Sequence, residues 1–135
     1  MAVSPVLLYV DDDSTSRQVM EMLVTYSLGW PGVVLFEDSE NFIERVESLS
    51  PAPDVIFLDI HIQPHDGFAM LKMLRAHKKF SRTTVIALTA SVMNEEVDLL
   101  KKAGFDGGIA KPISMNEFPE LMQRVLNGEK IWHIR

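Results

Sequence analysis

Hydrophobic residues in this chain are concentrated in short runs separated by longer segments of mixed polarity. The runs occupy residues 6–10, 33–36, 55–58 and 85–88, with a weaker fifth run at 108–110. The first four are rich in β-branched residues and show almost no alternation with polar residues, which is typical of strands buried on both faces of a parallel sheet. The pattern therefore predicts five parallel strands.

The segments between these runs carry hydrophobic residues three and four positions apart, the spacing of one face of an α-helix. The residues that mark these faces are Val19, Met22, Leu23 and Tyr26; Phe42, Ile43, Val46 and Leu49; Phe68, Leu71 and Leu74; Val92, Val97, Leu99 and Leu100; and Phe118, Leu121, Val125 and Leu126. Strands that alternate with helices predict an α/β fold, and right-handed crossovers place the helices on both faces of the sheet. The sequence thus predicts a doubly wound, five-stranded parallel sheet with five helices.

Serine, glycine and aspartate residues mark the predicted helix ends. Ser14, Ser39 and Ser114 are suited to cap helix N-termini, and Gly29, Gly104 and Gly128 follow helical segments where a left-handed residue ends a helix. Asp13 is interpreted as a capping residue of the first helix rather than as a metal ligand, because the helix dipole stabilises an anion there. Asp66 and Gly67 are interpreted as a turn and the N-cap of the third helix.

The composition fits one globular domain. The chain has 135 residues, of which 47% are hydrophobic, and a formal net charge of −6. It contains no cysteine, which excludes a disulfide framework, a thiolate metal site and a cysteine nucleophile. The acidic balance disfavours nonspecific binding to nucleic acid, and no apolar run is long enough to cross a membrane. We therefore expect a cytoplasmic protein that contacts neither nucleic acid nor a membrane directly.

Polar residues follow the predicted strands at the points where they end. Asp11 and Asp12 follow the first strand, Asp59 the third, Thr89 the fourth and Lys111 the fifth. Ligands of doubly wound sheets bind beyond the carboxyl ends of the strands. If the first and third strands are neighbours, three carboxylates converge there, and their mutual repulsion requires a cation among them. Ligation by oxygen alone points to a hard divalent ion, most plausibly Mg²⁺.

Lys111 and Thr89 add an ammonium group and a hydroxyl donor to this predicted site. A metal ion, an ammonium, a hydroxyl and one well-placed carboxylate are the groups needed to move a phosphoryl group onto an aspartate. Such transfer depends mostly on positioning and on neutralising the charge of the phosphoryl oxygens. The residues therefore predict phosphoryl transfer to an aspartate.

Four segments in this order resemble the receiver domain of two-component response regulators. They are residues 8–12 (Leu-Tyr-Val-Asp-Asp), 57–59 (Phe-Leu-Asp) followed by Asp66-Gly67, 87–90 (Ala-Leu-Thr-Ala) and 111–112 (Lys-Pro). The resemblance spans about residues 6–126, with the four segments at predicted strand ends. It implies a stand-alone, chemotaxis-regulator-like receiver with a flavodoxin-like sheet of strand order 2-1-3-4-5. The implied receiver domain covers residues 1–128, and residues 129–135 are then a short C-terminal tail with no output domain.

The resemblance implies a role for each residue of the predicted site. Asp59 matches the aspartate that accepts the phosphoryl group. Asp11 and Asp12 match the acidic pair that holds Mg²⁺, and Asp59 and the backbone carbonyl of His61 complete the implied metal ligands. Thr89 matches the hydroxyl that moves toward the phosphoryl group.

Lys111 matches the family's lysine that pairs with a phosphoryl oxygen, and Pro112 stands where the family often has a cis peptide bond. The implied function is a phosphorylation-controlled signalling switch. It accepts a phosphoryl group from a phosphohistidine of a sensor histidine kinase or a histidine phosphotransfer protein, and then changes the surface that it offers to an unknown downstream protein. Such a protein catalyses only its own phosphorylation and dephosphorylation.

The chain departs from the family pattern at two places. The family usually has a proline four residues after the acceptor, but here that position is Gln63 and the proline follows at Pro64. Gly108 stands where many receivers carry a switch Tyr or Phe, so the readout cannot operate through a side chain at that position. We expect the output to come from movement of the backbone and the fourth helix, with Phe105 or Ile109 filling the space.

Three alternative functions remain open. A phosphatase or mutase of the haloacid dehalogenase type also uses a strand-end aspartate with Mg²⁺, but its motif places a second aspartate where this chain has His61. A flavodoxin-like electron carrier would bind its flavin phosphate after the first strand, where the acidic residues would repel it. A docking receiver that is not phosphorylated usually lacks the acceptor or the lysine, and this chain has both.

Two further residue patterns favour structural roles. His61 and His65 would align as a metal-binding pair only on a helix, and Pro64 disfavours a helix there. Trp132 is interpreted as an aromatic side chain that docks onto the domain.

Overall fold

The computed structural model describes residues 5–90 and 93–133. Its strands are β1 (Leu7–Val10), β2 (Val34–Phe36), β3 (Val55–Asp59), β4 (Thr84–Thr89), β5 (Gly107–Ala110) and β6 (Ile131–His133). They form one parallel sheet in the order β2-β1-β3-β4-β5-β6. The predicted order of the first five strands is confirmed. Because β1 and β3 lie side by side, the residues that end them stand at one edge of the sheet.

The helices are α1 (Ser14–Met22), α2 (Phe42–Glu47), α3 (Gly67–Ala76), α4 (Asn94–Ala103) and α5 (Phe118–Leu126). A π-helical segment, Leu23–Ser27, continues α1. Buried residues of α2, α3 and α4 pack on one face of the sheet, and those of α1 and α5 pack on the other. The prediction of a doubly wound fold is therefore confirmed. Among residues 5–90 and 93–133, no helix is long and apolar enough to cross a membrane.

The sheet has a sixth strand that the sequence pattern did not predict. The hydrophobic pattern predicts five strands and the family resemblance a tail over residues 129–135, but Ile131–His133 pairs in parallel with β5 at the edge of the sheet. Ile131 is buried, and Trp132 packs against the core, so the predicted docking of Trp132 onto the domain is confirmed. Residues 134 and 135 of the predicted tail lie outside the described residues.

Gly107 allows the sixth strand to approach β5 closely. A Cβ atom at this position would lie 2.5 Å from the carbonyl oxygen of Ile131 and 3.2 Å from its nitrogen. Backbone atoms of a paired strand cannot move aside as a flexible side chain can. A glycine at the start of β5 is therefore part of the reason that β6 can pair there.

Two aspartates and three glycines form the helix ends as predicted. The Asp13 carboxylate accepts a hydrogen bond from the Ser16 amide at 3.1 Å, and the Asp66 carboxylate accepts one from the Ala69 amide at 2.8 Å. Positive φ angles of 70°, 104° and 87° occur at Gly29, Gly104 and Gly128. These conformations suit glycine, because it lacks the Cβ atom that disfavours them.

The serines predicted to cap helices do not do so. Ser14 is the first residue of α1, and the N-caps of α2 and α5 are Asn41 and Glu117. The hydroxyl of Ser39 instead hydrogen-bonds to the loop after β3, and the carbonyl of Ser114 accepts from the amide of Phe118. For Ser39, the loop after β3 thus takes the hydroxyl that the sequence assigned to a helix cap.

The predicted apolar face of the first helix is partly wrong. Met22 and Tyr26 are 50% and 83% exposed, and the buried residues are Met20, Leu23 and Val24. The π-helical segment from Leu23 adds a residue to the turn and so changes which side chains face the core. Periodicity calculated for a regular helix therefore misplaces Tyr26.

The fourth helix covers the sheet with fewer residues than predicted. Leu100 is buried, whereas Leu99 is 57% exposed. Val92, which was also predicted to face the core, lies outside the described residues.

Candidate functional site

β1 brings two acidic residues to the carboxyl edge of the sheet. Asp11 is buried and Asp12 is exposed. Asp11 Oδ1 accepts a hydrogen bond from the Asp13 amide at 3.0 Å, and Asp11 Oδ2 accepts one from the Tyr9 hydroxyl at 2.9 Å. The Arg17 guanidinium donates to the Asp11 carbonyl oxygen at 2.8 Å. The backbone and the carboxylate of Asp11 are thus both held in place.

Asp59 is the last residue of β3 and is only 3% exposed. Its Oδ1 atom accepts a hydrogen bond from the His61 amide at 3.0 Å. Its Oδ2 atom lies 3.3 Å from Lys111 Nζ. The implied phosphoacceptor is therefore oriented by a backbone donor on one oxygen and by an ammonium group on the other.

Lys111 connects the two buried carboxylates. It follows β5, and its amide donates to the Thr89 carbonyl oxygen at 2.9 Å, which extends the pairing of β4 with β5 to the site. Its Nζ atom lies 3.3 Å from both Asp11 Oδ2 and Asp59 Oδ2. A single ammonium group thus partly neutralises two carboxylates that would otherwise repel each other.

Burial and neighbouring charges together alter the pKa values of Asp59 and Lys111. Burial raises the pKa of Asp59 to about 6 from an ordinary 3.8; the Lys111 charge opposes this shift and the Asp11 charge adds to it. Burial alone would lower the pKa of Lys111, but the charges of Asp59 and Asp11 outweigh it, so the pKa is raised. The two neighbouring carboxylates therefore stabilise the ammonium form of Lys111.

Three carboxylates can act together on a cation. One oxygen each from Asp11, Asp12 and Asp59 lie within 4.8 Å of one another. Two ligands of Mg²⁺ at about 2.1 Å from the ion are at most about 4.2 Å apart, so the three oxygens lie close to the spacing that a shared ion requires. Carboxylate oxygens are the ligands that Mg²⁺ prefers, and the donor set therefore fits this ion. The structure thus brings together Asp11, Asp12, Asp59 and Lys111 as the sequence predicted.

Thr89 and His61 are both close to a residue of α4 that the sequence analysis did not single out. Thr89 is buried, and its Oγ1 lies 3.5 Å from Glu96 Oε1. His61 Nε2 lies 3.6 Å from the same Glu96 oxygen. Glu96 therefore connects α4 to the ends of β3 and β4. The role of the His61 carbonyl as a metal ligand remains a prediction.

An open cleft of about 740 Å³ lies beside Asp12 and His61. Acidic residues line it together with an apolar group: Asp12, Glu37, Asp38, Asp66 and Glu96, and Ile60, Ile62, Phe68 and Leu99. Because the acidic side chains repel anions, an anionic ligand needs a cation at this edge of the sheet. This agrees with a site in which a bound cation offsets the negative charge of an anionic ligand.

The loop after β3 is anchored to the loop after β2. Ser39 Oγ donates to the His65 carbonyl oxygen and accepts from the His65 amide, both at 2.7 Å, and the Ser39 amide donates to the Gln63 carbonyl at 3.3 Å. The Gln63–Pro64 peptide bond is cis, as is the Lys111–Pro112 bond, where the resemblance implied a cis bond. Pro64, which stands one position later than the proline of the family pattern, thus lies in a loop that Ser39 holds by hydrogen bonds to Gln63 and His65.

Gly67 allows the same loop to pack tightly below Asp59. A Cβ atom at Gly67 would lie 2.9 Å from Ile60 Cα and 3.0 Å from the carbonyl oxygen of Asp59. The Gly67 amide donates to the Ile60 carbonyl oxygen at 3.1 Å. A larger residue at position 67 would displace the backbone that carries the implied phosphoacceptor.

Gly108 lies on β5 between Ala87 of β4 and Trp132 of β6. Trp132 packs against the same core cluster as Phe105, whereas Ile109 belongs to the cluster on the other face. Of the two residues expected to fill the space beside Gly108, Phe105 is thus on the face of Trp132 and Ile109 is not. β6, the strand that the sequence pattern did not predict, thus brings the aromatic side chain of Trp132 next to Gly108.

Sequence reasoning missed the roles of Tyr9, Ser39 and Glu96. Tyr9 carried one usable signal, since a tyrosine in a buried strand usually finds a partner for its hydroxyl. Ser39 carried none, because its partner His65 is 26 positions away in the chain. Glu96 carried none either, because its contacts with Thr89 and His61 depend on how α4 packs against the sheet.

Residues 7–124 match the family model described as the response regulator receiver domain. The chain belongs to this family. A receiver domain is therefore the shared unit of this chain and its relatives, and the resemblance on which the sequence analysis relied is confirmed.

Relatives of this receiver domain occur in proteins of very different length. The chemotaxis protein CheY homologue of Campylobacter jejuni is 30% identical over 89% of this chain and 91% of its own length. Hybrid signal transduction histidine kinase D of Dictyostelium discoideum is 32% identical over 89% of this chain. The chain spans only 8% of the length of that kinase.

Solved receiver domains share the fold. The receiver domain of a sensor histidine kinase from Pseudomonas aeruginosa has a TM-score of 0.79 and 26% identity, covering 93% of this chain and 99% of that one. It was crystallised with a magnesium ion coordinated in its active site cleft. The chemotaxis response regulator CheY4 of Vibrio cholerae, with a TM-score of 0.80 and 24% identity over 91% of this chain and 99% of that one, shows the same fold.

Proposed function

We propose that this receiver domain accepts a phosphoryl group on Asp59 from a phosphohistidine and uses it to switch a partner-binding surface. The observation that carries the proposal is the position of Lys111 Nζ, 3.3 Å from both Asp59 Oδ2 and Asp11 Oδ2, at the edge where three carboxylates converge. A buried carboxylate beside one fixed ammonium and a potential cation site is suited to nucleophilic attack on phosphorus.

In the proposed reaction an Asp59 carboxylate oxygen attacks the phosphorus atom of the phosphohistidine. A P–O bond forms as the P–N bond breaks, and the bonding electron pair stays on the imidazole nitrogen, which takes up a proton. Lys111 pairs with a phosphoryl oxygen, and Thr89 offers its hydroxyl to another. Later attack by water on phosphorus releases inorganic phosphate and restores the carboxylate.

The donor set of Asp11, Asp12 and Asp59, with the His61 carbonyl as a predicted fourth ligand, fits Mg²⁺. Bound there, Mg²⁺ would supply positive charge to the phosphoryl oxygens. The magnesium ion in the cleft of the Pseudomonas receiver, which is 26% identical, supports this assignment.

The proposed donor is a sensor histidine kinase or a histidine phosphotransfer protein, and the proposed setting is the cytoplasm. The names of the relatives, hybrid histidine kinases and CheY proteins, support a donor of this class. Phosphorylation adds nearly two negative charges at a buried site, which biases the protein between two packings. Glu96 gives α4 a direct connection to Thr89 and His61, so we propose that α4 belongs to the surface that changes.

The test is labelling with a small phosphodonor. Wild-type protein incubated with acetyl phosphate and Mg²⁺ should gain the mass of one phosphoryl group, and it should gain none when EDTA replaces Mg²⁺. Asp59→Asn should remain folded and unlabelled. Asp98→Asn removes an exposed carboxylate on α4 and should be labelled like wild type.

Three results would overturn the proposal, each in a different way. Equal labelling of Asp59→Asn and wild type would show that Asp59 is not the acceptor. Sustained release of phosphate from a phosphate monoester would favour the phosphatase alternative. A protein that stays unlabelled but binds partners would favour the docking receiver.

A further inference from the structure

Tyr9 places a hydroxyl group in a strand whose other side chains are apolar. Tyr9 is 1% exposed, and its ring lies near Phe57 with the two centroids 6.2 Å apart. A phenylalanine would fill the same space without a polar atom that burial must desolvate. The hydroxyl group of Tyr9 therefore needs an explanation other than packing.

The partner of this hydroxyl is a carboxylate of the candidate metal site. Tyr9 Oη donates to Asp11 Oδ2 at 2.9 Å, and the bond is buried. Tyr9 and Asp11 are two positions apart in the chain, so the extended strand that carries one also places the other. Hydrogen bonds to a charged acceptor are stronger than those between neutral groups, and burial increases this difference.

The donors around Asp11 define its orientation. A carboxylate offers about four lone-pair positions on two oxygens. Oδ2 is used by Tyr9 and by Lys111, at 2.9 and 3.3 Å, and Oδ1 is used by the Asp13 amide at 3.0 Å. These three donors leave one lone-pair position of the Asp11 carboxylate unused, on Oδ1. Without Tyr9, Asp11 Oδ2 would be oriented by the lysine alone.

We propose that Tyr9 is a positioning residue for divalent-cation binding, because its hydroxyl fixes the Asp11 carboxylate in a ligating orientation and offsets part of its charge. The inference rests on the proposed function, which assigns Asp11 to Mg²⁺. It adds a residue from the interior of the sheet to a site otherwise built at the strand ends. Groups that hydrogen-bond to metal ligands commonly change metal affinity by about 10-fold to 100-fold.

The test compares the two tyrosines of the chain, Tyr9 and Tyr26. Tyr9→Phe removes the buried hydroxyl and keeps the ring, whereas Tyr26→Phe removes a hydroxyl from a side chain that is 83% exposed. Mg²⁺ is titrated into each protein, and the backbone amide shifts of Asp12 and Asp59 give the dissociation constant. We expect Tyr9→Phe to raise that constant about tenfold and Tyr26→Phe to leave it unchanged.

Asp11→Asn separates the failure of this inference from the failure of the proposed function. If Asp11→Asn weakens Mg²⁺ binding but Tyr9→Phe binds as tightly as wild type or more tightly, the role of Tyr9 is wrong and the metal site stands. If Asp11→Asn binds Mg²⁺ like wild type, the assignment of Asp11 is wrong and the inference is overturned with it.

A second measurement does not depend on the folding of Tyr9→Phe. Protein labelled with 3-fluorotyrosine gives two ¹⁹F resonances, and the Tyr26→Phe variant identifies that of Tyr9. On addition of Mg²⁺ the Tyr9 resonance should shift with the same midpoint as the amides of the metal site. A Tyr9 resonance that stays constant while Mg²⁺ binds would overturn the inference.

Discussion

Gly108 on β5 and Trp132 on β6 are register partners in the parallel pairing of the two strands. Partners in register direct their side chains to the same face of a sheet. Trp132 packs there against the core cluster that includes Ala87 and Phe105, and Lys101 Nζ lies 5.3 Å from the indole centroid. The indole therefore lies on the face of the sheet to which a side chain at residue 108 would point.

Gly108→Tyr should destabilise the protein by about 1–3 kcal/mol, because we expect the added ring to compete for space with the neighbouring indole of Trp132. The double variant Gly108→Tyr/Trp132→Ala should lose less stability than the sum of the two single variants. Urea denaturation of the four proteins measures this coupling, which we expect to exceed about 0.5 kcal/mol. Additive losses would show that the two side chains do not compete for the same space.

Gly107→Ala should disrupt the attachment of β6. Its Cβ atom would lie 2.5 Å from the Ile131 carbonyl oxygen, so the strand must shift. We expect a loss of about 1–3 kcal/mol in urea denaturation and faster hydrogen exchange in residues 131–133. Gly32→Ala is the matched control, since a Cβ atom at Gly32 meets no heavy atom within 4 Å. Equal effects of both substitutions would contradict the explanation.

The strands with long apolar runs could be predicted from the sequence, and the sixth strand could not. β1, β3 and β4 are buried on both faces, and this burial leaves an uninterrupted hydrophobic pattern. β6 has three residues and lies at the edge of the sheet, so its pattern is too short to distinguish it from a tail. Its place in the sheet depends on Gly107, whose effect appears only when β5 and β6 are side by side.

The part of the candidate site that stands at strand ends could be predicted from the sequence. Asp11 and Lys111 follow strands and Asp59 ends one, and parallel strands end at one edge of the sheet, so their meeting follows from the topology. The donors that orient these groups were not predictable in the same way. Glu96, for example, reaches the site from α4 only because that helix packs beside β4 and β5.

The stability of the metal-free protein should fall as the pH rises from about 4 to about 6. Burial raises the pKa of Asp59 to about 6 from an ordinary 3.8. Between these values the folded protein holds a proton that the unfolded chain has released, so rising pH favours unfolding. This destabilisation disappears below about pH 4, where Asp59 is protonated in both the folded protein and the unfolded chain. At about 1.4 kcal/mol for each pKa unit, the loss amounts to about 3 kcal/mol.

Asp59→Asn should remove this pH dependence. In EDTA the variant should match wild type near pH 4 and be more stable than wild type at pH 7, as measured by urea denaturation across the range. Asp98→Asn, on the exposed face of α4, controls for the loss of one negative charge. A difference between wild type and Asp59→Asn that stays constant with pH would contradict the raised pKa of Asp59.

Lys111→Met should destabilise the protein mainly when no divalent cation is present. Lys111 Nζ lies 3.3 Å from Asp11 and Asp59, whose side chains are 0% and 5% exposed, so its removal leaves two buried carboxylates without a counter-charge. Leaving a buried charge without its partner costs about 3 kcal/mol or more of folding free energy, and protonation of Asp59 would limit this loss.

Saturating Mg²⁺ should recover much of the stability that Lys111→Met loses, because the ion replaces the missing positive charge beside Asp11 and Asp59. The measurement is urea denaturation of wild type and Lys111→Met in EDTA and in Mg²⁺. Lys102→Met removes an exposed lysine from α4 and should show no such dependence on the cation. A loss in Lys111→Met that is equal in EDTA and Mg²⁺ would mean that the ammonium acts through packing of its side chain, and not through charge.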